Sequence, residues 1–158
     1  MKFLSCIALC IFGANAASAG QFCEIDGSEM FACTFKGGAK AVELCDAFWL
    51  DGNMASYGFF NRNGVVEKGI VIDKAALIAR PWSGMGRYIS ESITFPVAGG
   101  YAYEVFWSVD RNTNAEIEGG ILVLKDGNEI ATLTCDPGSV TQNMTALIDM
   151  IDIAQTSR

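Results

Sequence analysis

Tyr101-Ala102-Tyr103-Glu104-Val105-Phe106-Trp107-Ser108 alternates with a period of two, and its odd positions Tyr101, Tyr103, Val105 and Trp107 form one apolar, aromatic face. Successive side chains of an extended chain point to opposite sides, so the stretch reads as a β-strand with that face in the core. Upstream, Arg87–Val97 is joined to it through Gly99-Gly100, residues suited to a tight turn, and the two segments read as a hairpin. The same layout recurs three times. Met30–Phe35 and Ala39–Cys45 flank Gly37-Gly38, which reads as a two-residue turn; Ala55–Asn61 and Val65–Asp73 flank Asn63-Gly64; Gly119–Lys125 and Glu129–Cys135 flank Asp126-Gly127. Four hairpins give an all-β, mainly antiparallel fold of about eight strands, a sandwich or a barrel. Alternation is weakest in Ile130–Cys135, which is expected to be covered on both faces.

The C-terminus departs from this rhythm. Val140, Met144, Leu147, Ile148 and Ile151 recur at spacings of three and four, which places an apolar stripe on one side of a helix spanning about residues 139–154. Pro137-Gly138 breaks the preceding strand, and Ser139 with Gln142 matches a capping box. The helix is expected to pack over one end of the sheet.

At the N-terminus, Lys2 precedes the apolar run Phe3–Phe12 and the small residues Gly13-Ala14-Asn15-Ala16-Ala17-Ser18-Ala19. This is the pattern of a secretory signal peptide covering residues 1–19, cleaved after Ala17-Ser18-Ala19, with Ala14-Asn15-Ala16 as the second choice. Its apolar run of about ten residues is half of what a membrane span needs. No membrane span is expected, and one β-rich domain is expected over residues 20–158. That chain keeps Cys23, Cys33, Cys45 and Cys135, an even number suited to two disulfides in an oxidising compartment. No Cys-x-x-Cys pair is present for a zinc site. Four cysteines allow three connectivities, which spacing does not discriminate. The pairing expected is Cys33–Cys45, clipping neighbouring strands, with Cys23–Cys135 tying the start of the mature chain to its last strand.

The 158 residues include no histidine, which removes Ser-His-Asp hydrolases, Cys-His proteases, His-ligated zinc enzymes and histidine pH switches. Without residues 1–19, 10 basic residues stand against 18 acidic ones, a net charge of −8. A chain this acidic is a poor nucleic-acid binder, whereas it attracts cationic protein partners and stays soluble. No cofactor or metal is expected. Asp110-Arg111-Asn112-Thr113-Asn114-Ala115-Glu116-Ile117-Glu118 begins like a calcium loop, but Ala115 stands where the turn needs Gly and Ile121 where a bidentate Glu would close the site. It reads as a polar connection between strands. Glu91 and Glu104, on strands expected to be adjacent, are the one carboxylate pair with glycosidase potential, and solvated strand faces commonly carry such residues. With the cysteines in disulfides and no base near Ser83, a non-catalytic protein is expected.

The loop Arg80-Pro81-Trp82-Ser83-Gly84-Met85-Gly86-Arg87-Tyr88 interrupts the strand pattern. Glycines at 84 and 86 permit unusual backbone angles, and Trp82, Arg87 and Tyr88 are the residue types that dominate binding hot spots. Trp82, Ser83, Gly84, Gly86, Arg87 and Tyr88 are the candidate partner-binding residues. The oligomeric state is not readable from the sequence.

Phe31-x-Cys33-Thr34, Gly37-Gly38-x-Lys40-x-Val42-Glu43-x-Cys45, Trp82-Ser83-Gly84-x-Gly86-Arg87-Tyr88, Thr94-Phe95-Pro96, Tyr101-x-Tyr103-x-Val105-Phe106-Trp107-Ser108-x-Asp110-Arg111, Lys125-Asp126-Gly127 and Cys135-Asp136-Pro137-Gly138-Ser139-Val140 together resemble a widespread family of small exported proteins of Gram-negative bacteria. The resemblance implies a shared fold and a periplasmic or secreted location. Ser83-Gly84 with Tyr88 is also similar to the loop of periplasmic lysozyme inhibitors, small disulfide-clipped β proteins that insert a Ser-Gly-containing loop and a nearby Tyr into the lysozyme cleft. Here Met85-Gly86-Arg87 separate Gly84 from Tyr88, a longer spacing than in the compact Ser-Gly-x-x-Tyr form. On that similarity Ser83 donates its hydroxyl to the catalytic acids of a cationic lysozyme, Arg87 forms a charge-assisted fork to a carboxylate, and Trp82 or Tyr88 fills a sugar subsite.

Overall fold

The computed structural model describes residues 22–25, 28–112 and 114–157. The expected signal peptide lies outside the described residues. Two antiparallel five-stranded sheets face each other as a sandwich. In the first, β1 (Glu29–Phe35), β2 (Lys40–Asp46), β3 (Met54–Asn61) and β4 (Val66–Asp73) form a meander. A 3-10 turn at Lys74–Ala76, capped by Asp73 Oδ1 accepting from the Ala75 amide, carries the chain across to the second sheet. That sheet contains β5 (Ile78–Arg80), β6 (Tyr88–Val97), β7 (Tyr101–Asp110), β8 (Glu118–Lys125) and β9 (Asn128–Thr134). The chain then returns to the first sheet, where β10 (Thr141–Gln142) pairs with β1, and ends in α1 (Met144–Thr156). Two more strands are present among the described residues than the eight expected. Both are only two or three residues long, too short to leave a periodic signal.

The core lies between the sheets. Phe31, Phe35, Val42, Leu44, Tyr57, Ile93, Phe95, Val105 and Ile121 are buried there, and Tyr57 packs against Phe95 and Tyr103 at ring-centroid distances of 5.7 and 5.4 Å. On β7, Val105 and Trp107 are in the core and Tyr103 is packed against it, as the alternation predicts; Tyr101, at the strand's end, is exposed. The helix contributes Met144, Leu147, Ile148 and Ile151 of the stripe read from the sequence to the same core, whereas Val140 lies before β10, outside the helix, and packs against the core partly buried. It starts later than expected, because Thr141 and Gln142 are committed to pairing with Ala32 and Phe31. Ser139 does not cap it. Its hydroxyl donates to the Asp136 carbonyl and accepts from the Thr34 amide, while Gln142 Oε1 receives the first helical amide, that of Met144.

The turn chemistry is partly as expected. Asp126-Gly127 forms the two-residue turn, with φ of 49° and 80° at the two positions and Lys125 paired to Asn128. Gly37-Gly38 does not: Phe35 pairs with Lys40, so the loop has four residues, with φ positive at Lys36, Gly37 and Gly38. Strand β9 is also not covered on both faces. It is an edge strand, exposed along most of its length, with Ile130 57% exposed, so its weak alternation reflects exposure on both sides.

The disulfides are Cys23–Cys45 and Cys33–Cys135, which overturns the expected pairing. Cys33 pairs in register with Val42, not with Cys45, and it faces the core while Cys45, beyond the core residue Leu44, points to the outer face of β2. Two cysteines on opposite faces of a sheet cannot reach each other. Cys33 instead crosses the sandwich to Cys135 at the end of β9. The Cys23–Cys45 bridge holds residues 22–25 against the outside of the first sheet. There the Phe22 ring lies over Gly58 and stacks on Phe60, and the Phe22 and Cys23 amides donate to the buried Glu43 carboxylate at 2.8 and 3.0 Å. Two disulfides of this kind belong to an oxidising, non-cytoplasmic compartment. No helix among the described residues is long and apolar enough to cross a membrane.

Candidate functional site

Residues 81–87 form the connection between β5 and β6, at the end of the second sheet where β7 hands over to the 111–117 loop. Pro81 ends β5, since it lacks an amide proton for the ladder, and Gly84 and Gly86 adopt φ of 80° and 96°, open to glycine without strain. A Cβ at either glycine would meet nothing, so both lie in open space. Met85 between them is 76% exposed and Tyr88 55% exposed, and Ser83 and Arg87 are exposed as well. Trp82 is half-buried, its indole N–H donating back to the Met85 carbonyl at 3.1 Å, which closes the loop on itself.

The opposite strand end fastens this loop. The Arg111 guanidinium lies 5.0 Å from the centre of the Trp82 ring and donates to the Gly86 carbonyl at 3.2 Å, while its backbone amide donates to the Arg87 carbonyl at 2.9 Å. Asp110 takes the Arg87 side chain, with Nε at 2.7 Å and Nη2 at 2.6 Å from the same carboxylate oxygen. The other oxygen accepts from the Asn112 amide. The hydrogen bond from Arg87, with the Asn112 amide behind it, holds the Asp110 carboxyl below its ordinary range, and Asp110 raises Arg87 in turn. Arg87 therefore does not extend outward as a fork for a foreign carboxylate. Its Nε–Nη2 edge is committed within the molecule, and its guanidinium sits 5.7 Å from the Tyr88 ring, orienting that side chain.

The six candidate residues come together at one end of the second sheet, five in the 81–87 loop and Tyr88 as the first residue of β6, with Trp82 half-buried and the others exposed. Arg111 and Asp110 are the residues that the sequence reading placed elsewhere, in the polar 110–118 segment. A signal for them exists: in the β6–β7 hairpin Val97 pairs with Tyr101, and counting outward puts Tyr88 opposite Asp110. Beside Tyr88 lies an acidic recess of about 180 Å³ lined by Asp110, Glu116 and Glu118 with Ser108, Val109 and Ala115.

The carboxylates Glu91 and Glu104 do sit on adjacent strands, but Glu91 pairs with Trp107 and Glu104 with Thr94. In an unbroken antiparallel register these two positions point to opposite faces. Glu91 faces inward and accepts from the Trp107 indole N–H at 3.1 Å and from Thr145 of α1 at 3.0 Å, pinning the helix to the sheet. Glu104 faces outward. The two cannot flank one glycosidic bond, so the carboxylate-pair chemistry does not arise.

Fold and site define a disulfide-linked β-sandwich that presents a preorganised, cation- and aromatic-rich loop. No family model matches the chain, and neither the curated proteins nor the solved structures contain a match to it.

Proposed function

We propose that this protein is exported to the periplasm or beyond by its N-terminal signal peptide and acts there as a non-catalytic inhibitor of a lysozyme-type cell-wall hydrolase, through the Trp82–Tyr88 loop. The observation that carries this reading is the build of the loop. Ser83, Met85 and Tyr88 are exposed on a backbone already fixed by Arg111, Arg87 and Asp110, so little ordering entropy is lost when a partner docks. The acidic recess beside Tyr88 and the overall negative charge favour a cationic partner and speed its approach. Ser83 donates to an acid in the enzyme cleft, Met85 and Tyr88 fill apolar subsites, and Arg87 acts as a positioning residue.

Titration of the disulfide-bonded protein against chicken-type, goose-type and invertebrate-type lysozymes, at low and moderate salt, tests this. Stoichiometric inhibition of one class, weakened about tenfold in Ser83→Ala with thermal stability unchanged, supports it. Failure to bind or inhibit any class at large excess removes it. The alternative, an envelope interaction protein without inhibitory activity, is favoured by one feature: the exposed β9 edge, whose seven residues hold a single charge, Glu129, and could accept a partner's strand. The apolar stripe of α1 is committed to the core and is not a docking surface.

A further inference from the structure

The outward face of the second sheet holds a feature that a solvated sheet face has no need of. Glu104 lies in the middle of β7 on that face, yet only 6% of it is exposed. It forms the floor of an open cleft of about 320 Å³ whose walls are Arg80, Ser90, Ser92, Phe106 and Leu122. Register places all of these on one face: Arg80 opposite Ser92, Ser92 opposite Phe106, and Glu104 opposite Leu122. The Phe106 ring lies over Gly120, with Cε1 and Cζ 3.0 Å from where a Cβ would sit, so the missing side chain lets the aromatic ring settle on the sheet and turn its other side to the cleft. Glu104 Oε1 accepts from the Ser92 hydroxyl at 2.7 Å and from Arg80 Nη1 at 3.3 Å. Both bonds fall on one oxygen, which leaves Oε2 to accept from a ligand, and the remaining guanidinium N–H groups of the exposed Arg80 to donate to one.

We propose that this cleft binds a short neutral saccharide, with a ring seated on Phe106 and its hydroxyls paired to Glu104, Arg80 and the cleft serines. Charge and chemistry select this class. Arg80 is neutralised by Glu104 and the protein as a whole is acidic, so an anion gains little. A purely apolar ligand would cover Glu104 Oε2 and the Ser90 hydroxyl and offer neither a partner, while the Ser92 hydroxyl stays bonded to Glu104 Oε1. A saccharide supplies hydroxyls that both donate and accept along its edge, and C–H groups for an aromatic face. The volume is at the small end of the roughly 300–1,000 Å³ seen for small-molecule sites, which suits one or two sugar rings.

This proposal does not rest on the lysozyme-inhibitor reading, and its test contains no enzyme. The isotope-labelled, disulfide-bonded protein is titrated with tri-N-acetylchitotriose, cellotriose and trigalacturonate while amide shifts are followed. The expected result is saturable shifts at Arg80, Ser90, Ser92, Glu104 and Phe106 with a neutral trisaccharide. Binding is weakened about tenfold in Arg80→Ala and in Glu104→Gln, which keeps the shape of the cleft. Arg80 is exposed, so its replacement leaves the fold intact and keeps the test decisive should Glu104→Gln unfold. No shifts with any probe, shifts confined to other surfaces, unchanged affinity in Arg80→Ala, or tighter binding of trigalacturonate than of both neutral sugars would each overturn it.

Discussion

Arg111 is the side chain on which the candidate loop depends most. One guanidinium both covers the Trp82 ring and holds the Gly86 carbonyl, so two ends of a glycine-containing loop are fixed by a single residue just beyond β7. Replacing it with Ala removes a cation–π contact of about 0.5–1 kcal/mol at an exposed site and a charge-assisted hydrogen bond, without opening the core. Arg111→Ala is expected to shift the thermal midpoint by no more than a few degrees while the loop loses order, read as faster amide exchange at Gly84–Arg87 and a changed Trp82 emission. Unchanged exchange in the variant would show that the backbone alone shapes the loop. Arg87 and Arg111 look equivalent in the sequence, as two arginines near aromatic residues. Only the register of the β6–β7 hairpin, which sets Asp110 against Tyr88, assigns one to the acid and the other to the indole.

At the level of elements, the two disulfides do different jobs. Cys23–Cys45 closes a separation of 22 residues and holds the N-terminal segment on the outside of the first sheet, whereas Cys33–Cys135 closes 102 residues and joins the two sheets. The loop-entropy relation gives about 3.4 and about 4.7 kcal/mol for separations of this size. Cys33→Ala/Cys135→Ala is therefore expected to lower the denaturation midpoint more than Cys23→Ala/Cys45→Ala, as measured by guanidinium unfolding. The reverse order would mean that packing of Phe22 and the Glu43 contacts outweighs chain entropy. Strand and helix types were legible because alternation in β7 and the three-four spacing of α1 each record a buried face directly. The course of β9 was not, since a weakly alternating strand reads alike whether it is covered on both sides or exposed on both. The start of α1 was hidden as well, because the two-residue strand before it exists only through its pairing with β1.

Across the whole molecule, the segment after β9 is what ties the sheets and the helix together. Asp136 accepts from the Gly37 amide and the Thr34 hydroxyl at 2.9 and 2.8 Å and from the Gly38 amide at 2.9 Å, next to the Cys33–Cys135 bridge. These bonds, the Gly37 amide first, hold its carboxyl below the ordinary 3.8. Asp110 is lowered too, through Arg87. A carboxyl with a lowered pKa in the folded state stabilises above its unfolded value, and that contribution disappears as pH falls through the folded one. The contribution of these two carboxyls to stability is accordingly expected to hold from neutral pH down to about pH 4 and to decline below it, while burial raises Glu29 and gives it the opposite sign. The decline should be shallower in Asp136→Asn, as read by guanidinium midpoints from pH 7 to pH 2. An identical slope in the variant would show that Asp136 is not part of the acid response. With no histidine in the chain, no histidine titration is superimposed between pH 5 and 8.

Composition and periodicity alone determine that this chain is all-β with one terminal helix, that it carries two disulfides and that it lacks histidine chemistry. These properties are local, each written in the spacing or identity of nearby residues. The tertiary structure decided what depends on distant residues meeting. Which cysteines bond followed from faces and strand order, and so did the separation of Glu91 from Glu104. The engagement of Arg87 by Asp110 and the outward cleft over Glu104 arise in the same way. Antiparallel pairing converts a one-residue change of parity into a change of side, and it brings together residues whose separation along the chain carries no record of their contact.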